Sequence, residues 1–85
     1  MITEHRAKQL VSKHLVPTAE KFGLHSWDIE VDLNPILEQL GQVEIRPECY
    51  WARITMNHAA LDEEGFKSVL KHEVLHILLH PLEQL

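Results

Sequence analysis

Between Thr3 and about Phe22, Ala7, Leu10, Val11, His14, Leu15, Thr18, Ala19 and Phe22 recur at spacings of three and four. That period predicts an amphipathic helix, with Thr3 and Arg6 near its start and Gly23 as its stop. Pro17 should kink it or split off a last turn. The period then changes to two. In Trp27–Leu33, Trp27, Ile29, Val31 and Leu33 share one face, as a half-buried strand requires. Asn34-Pro35 breaks this strand, and Ile36 to Gly41 reads as a loop or helical turn. Two shorter extended pieces follow, Gln42 to Arg46 and Tyr50 to Met56, separated by Pro47 and Glu48. A small, mostly antiparallel sheet is expected from them, in a pairing order that the pattern leaves open.

The second helix is better marked. Asp62 suits an N-cap, Glu63 and Glu64 suit the positive end of the helix dipole, and Leu61 can staple onto Phe66. It should run to about Leu79, because Pro81 opposes continuation. At 100° per residue Phe66, Val69, Leu70, Val74 and Ile77 form a core stripe, while Leu75 and Leu79 fall on another side. A helix apolar nearly all round is normally buried, so a second subunit, a partner, or residues this chain lacks should cover Leu75 and Leu79. The fold class expected is α+β: N-terminal helix, small sheet, C-terminal helix, in one domain spanning 1–85.

Composition narrows the function. The chain has 85 residues, is 45% hydrophobic and 25% charged, and contains no low-complexity tract, which excludes a disordered chain. A net charge of -5 argues against binding nucleic acid, which needs clustered Lys and Arg. No apolar run approaches the roughly 18–20 residues of a membrane span. The polar start, Met1 to Arg6, is unlike a secretory signal. One cysteine, Cys49, excludes an internal disulfide and fits a reducing compartment, so a cytoplasmic protein is expected, including one made in a phage-infected host.

Histidine is the excess: 7 in the chain. Two of them stand in His72-Glu73-Val74-Leu75-His76, an H-E-x-x-H pattern on the second helix. One turn apart on one face, both imidazoles can reach a single Zn²⁺ at about 2.0–2.1 Å. Glu73 lies beside them and can face a metal-bound water without being a ligand. Zinc acidifies such a water and polarises a carbonyl, and Glu73 can take the water's proton as general base. The alternative for the same residues is two solvated histidines and an ion-paired Glu73, which the apolar neighbours Val74, Leu75, Ile77 and Leu78 oppose.

With this motif the chain resembles the zincin metallopeptidases. Its order of elements and the run from Val69 to Glu83 look like the very small metallopeptidases common in bacteriophage and prophage sequences, related to minimal gluzincins and SprT-like proteins. The resemblance implies a minimal zincin-like fold and a zinc-dependent peptidase acting on a peptide or protein. It also implies that the last strand before the helix, Trp51 to Met56, lies along the cleft and pairs with extended substrate, with Arg53 or Thr55 facing the cleft.

Zincins take a third ligand downstream, and the sequence ends nine residues after His76. The candidates are His80, Glu83, a group from another subunit or from elsewhere in the chain, and water. On an unbroken helix His80 lies about 12 Å along the axis from His72, so it can join that site only if the helix unwinds before Pro81. Otherwise His80 can pair with His76 in a second site, or cap the helix end. The competing reading is a zincin-scaffold module that binds metal or a partner with little hydrolysis. The remaining histidines read as structural. His5 and His25 suit the surface, His14 a hydrogen-bonded semi-buried place, and His58 a turn near the cleft mouth with a lesser prospect of orienting substrate. Cys49, Trp27 and Trp51 also read as structural.

Overall fold

The computed structural model describes residues 2–24 and 26–83, with side chains through residue 79. His25 and the side chains of His80 and Glu83 therefore lie outside the described residues. Helix α1 (Glu4–Lys21) starts at Thr3, whose hydroxyl accepts from the Arg6 N–H at 3.1 Å. It ends at Gly23, where φ is 75°, a conformation open to glycine at little cost. Pro17 lies inside this one helix and does not split it; its fixed φ near −65° is helical, so near the C-terminus it removes one backbone donor without ending the helix.

Strands β1 (Asp28–Leu33), β2 (Gly41–Arg46) and β3 (Trp51–Met56) form one sheet in the order β1-β3-β2. β3 runs parallel to β1, with Val31 opposite Ile54, and antiparallel to β2, with Val43 opposite Ile54. The sheet is thus mixed and not mostly antiparallel. The cause is the return path: β2 turns back from β1, and the chain then reverses again and inserts β3 between them. Ala52, Ile54 and Met56 of this central strand are fully buried, whereas the alternating residues of β1 and β2 are half-buried. Between β2 and β3 a short 3-10 turn, Pro47–Cys49, leaves Tyr50 at a φ of 50°, and the Tyr50 ring packs edge-on to Trp27 at 5.8 Å. Cys49 is exposed.

Both helices cover the same face of the sheet, α1 against β1 and α2 (Glu63–Glu83) across β2 and β3. The first turn of α2 forms as its residues dictate. Asp62 Oδ1 accepts from the Gly65 N–H at 2.7 Å, and Leu61 and Phe66 are both buried in the core. Arg6 clamps α1 to this turn through two hydrogen bonds to Glu63, 3.0 and 2.8 Å. Those bonds hold the Glu63 carboxyl below its usual range and raise the Arg6 guanidinium. The core joins Phe66, Leu70, Val74 and Ile77 of α2 to Ala7 and Leu10 of α1 and to the central strand. Leu75 and Leu79 are half-buried, and Leu78 is exposed. Among the described residues no helix is long and apolar enough to cross a membrane.

The backbone of α2 remains helical through Pro81 to Glu83, four residues past the expected end. A proline here loses its own bond to the preceding turn and crowds the carbonyl there, yet the φ near −65° that its ring fixes is itself helical, so the chain continues. The unwinding that would bring His80 to His72 does not occur, so the two stay about 12 Å apart along the axis.

Candidate metal centre

Helical spacing places His72 and His76 on one side of α2, and their rings meet edge to face at 4.6 Å. The two Nε2 atoms are 3.0 Å apart. At that distance the two ring nitrogens are hydrogen-bonded, and the tautomers set which of them donates. Two nitrogens bound to one tetrahedral zinc at about 2.0–2.1 Å lie about 3.3–3.4 Å apart. The pair therefore needs to open by only a few tenths of an ångström, with both rings protonated on Nδ1, to present two lone pairs to a metal. The residues fit a zinc ion in donor type and spacing. Among the described residues no group of three His, Cys, Asp or Glu side chains converges.

Glu73, between them in sequence, turns towards the sheet and is 7% exposed. Its place is made by Gly41, the first residue of β2. A Cβ at Gly41 would lie 2.8 Å from Val69 Cγ1 and 3.4 Å from both Glu73 Cγ and Glu73 Oε1. The missing side chain thus lets the strand lie directly on the helix beside the carboxylate. Glu73 and His76 form one wall of a cleft of about 460 Å³, and Gln39, Gly41, Val43 and Ile45 form the other. Gly41→Ala is expected to lower stability by about 1–3 kcal/mol, because Val69 is stiff at χ1 in a helix and cannot simply swing aside. Urea denaturation measures this; an unchanged midpoint would show that strand and helix part without cost.

The strand along this cleft is β2 and not β3. Both edges of β3 are occupied by its neighbours, so it has no backbone groups to offer a substrate. Arg53 and Thr55, expected at the cleft, lie on the opposite face of the sheet from Ala52 and Ile54. Arg53 there contacts Glu30 at 3.5 Å and Asp32 at 3.4 Å. On β2 the Asn57 N–H bonds to the Leu40 carbonyl, so Gln42, Glu44 and Arg46 face β3 with their backbone groups. Gly41, Val43 and Ile45 point theirs outward, to the free edge that borders Glu73 and His76. Sequence patterning passed over these three residues. The available signal was Gly41 at the head of an alternating run, a mark of close backbone approach.

Asn57 fixes the approach to β2. Its Nδ2 donates to the Leu37 carbonyl at 2.8 Å and its Oδ1 accepts from the Ala60 N–H at 3.2 Å. His58 is a turn residue, 8% exposed, with a buried Nδ1 that has no hydrogen-bond partner among the described residues, and it does not line the cleft. His14 is half-buried, as expected, but its buried Nε2 has no such partner either. His5 is exposed beside Gln9. No protein family matches the chain, and neither a curated protein nor a solved structure does.

Proposed function

We propose that this chain is a zinc-dependent metallopeptidase of the zincin type, with His72 and His76 as metal ligands and Glu73 as general base. The observation that carries the reading is the convergence of the two Nε2 atoms, with a buried carboxylate between them in sequence and a cleft beside them. Zinc held there would polarise a peptide carbonyl and acidify a water. The free edge of β2 would hold the substrate extended, its backbone paired with Gly41, Val43 and Ile45. Glu73, in the wall of the cleft, would take a proton from the attacking water and return it to the leaving amine. The water oxygen thereby joins the carbonyl carbon as the C–N bond breaks. A third ligand would come from His80 or Glu83 after rearrangement of the helix end, from a second subunit, or from solvent.

Metal analysis tests this. The wild-type chain should hold near-stoichiometric zinc, and substituted cobalt should give the visible bands of a tetrahedral site. Both should vanish in the double variant His72→Ala, His76→Ala while the far-ultraviolet spectrum is kept. A folded wild type that stays free of zinc after supplementation overturns the proposal. Stoichiometric zinc without cleavage of any unfolded protein substrate leaves the competing reading, a metal-binding module on the same scaffold.

A further inference from the structure

The second sheet edge, β1, lies on the opposite side of the sheet from the β2 edge that borders the histidine cleft. The Asp28 N–H bonds to Tyr50 O at 2.8 Å and the Asn34 N–H to Met56 O at 2.9 Å, so the even-numbered residues of β1 face β3. The N–H and C=O groups of Ile29, Val31 and Leu33 consequently point away from the sheet, and among the described residues nothing pairs with them. Such an edge is a template for another strand. Beside it runs a hollow of about 940 Å³ that passes from Lys8, Val11 and Ser12 of α1 over Val31 and Leu33 to the polar face of the sheet at Asp32 and Arg53. On the face that the helices cover, Ile29, Val31 and Leu33 are only half-buried. On the other side Asp28, Glu30 and Asp32 form an exposed row of carboxylates. Arg53 contacts two of them, Glu30 and Asp32, so the row keeps an excess of negative charge.

We propose that the free edge of β1 takes an extended polypeptide segment in which basic and apolar residues alternate. Its backbone adds a fourth strand through Ile29, Val31 and Leu33. Its apolar side chains lie beside Ile29, Val31 and Leu33 on the half-buried face, and its basic ones face Asp28, Glu30 and Asp32 on the exposed face. The period of two in β1 requires that alternation. A second copy of this chain is a poor occupant, since pairing β1 with β1 sets two acidic rows against each other.

The test probe is a capped peptide of alternating Lys and Val, about seven residues long so as to span β1. Titrated into the ¹⁵N-labelled chain, it should shift the amides of Ile29, Val31 and Leu33, and added salt should weaken it. The Glu-Val counterpart should bind about tenfold more weakly, as should the Lys-Val peptide to the triple variant Asp28→Asn, Glu30→Gln, Asp32→Asn. Shifts centred on Gly41, Val43 and Ile45, equal binding of the acidic peptide, or no shift in β1 each overturn the proposal. So does a concentration-dependent shift of β1 amides in the chain alone, which would make a second copy the occupant. None of these outcomes depends on zinc, so the peptidase proposal stands or falls separately.

Discussion

Replacing Glu73 by Gln is expected to leave zinc bound and to lower peptide hydrolysis by about 10²–10⁴-fold, the range for losing a positioned general base. Glutamine matches glutamate in size, so the packing against Gly41 survives, and neither His72 nor His76 is touched. What changes is proton affinity, because an amide oxygen cannot take a proton from water near neutral pH. The loss should therefore appear in kcat with little change in KM, since the proposed substrate contacts are with the β2 edge and not with this carboxylate. Zinc content and thermal midpoint serve as controls. Hydrolysis that persists in Glu73→Gln with zinc still bound removes Glu73 as the base and with it the mechanism.

The parts of this site carried by one helix were legible from sequence. His72, Glu73 and His76 depend for their placement on helical period alone, and Asp62, Leu61 and Phe66 announce where the helix begins. The first strand was equally plain, since the period of two in Trp27–Leu33 needs no partner to be seen. What depends on distant pairing was not. The segment from Trp51 to Met56 was expected to line the cleft because it precedes the helix. Its neighbours instead enclose it, and β2 has the edge position. The three residues buried most completely in any strand, Ala52, Ile54 and Met56, are the physical mark of a central strand. That burial is a property of the assembled sheet and cannot be told from a half-buried alternation beforehand. Proline misled in a similar way at Pro81, where the helical φ that the ring fixes carries α2 on past its expected end.

Phe66→Ala is expected to cost about 3–5 kcal/mol, the range for emptying a buried phenylalanine site. Phe66 is 0% exposed, sits in the first turn of the helix that carries His72 and His76, and belongs to the cluster joining that helix to α1 and β3. Domains as a class have only about 5–15 kcal/mol in total, and one this short lies towards the lower end. At about 4–8 °C per kcal/mol for a domain of this size, the thermal midpoint should fall far enough to leave the variant partly unfolded at physiological temperature. The same variant then reports on the metal centre. A ligand that binds only the folded chain adds about 2.7 kcal/mol at a hundred times its dissociation constant. Excess zinc should therefore restore much of the lost stability to Phe66→Ala, and should restore none when His72 and His76 are also replaced by Ala. Equal rescue in both would place the metal elsewhere, and no rescue in either would mean that His72 and His76 do not hold zinc in the folded chain.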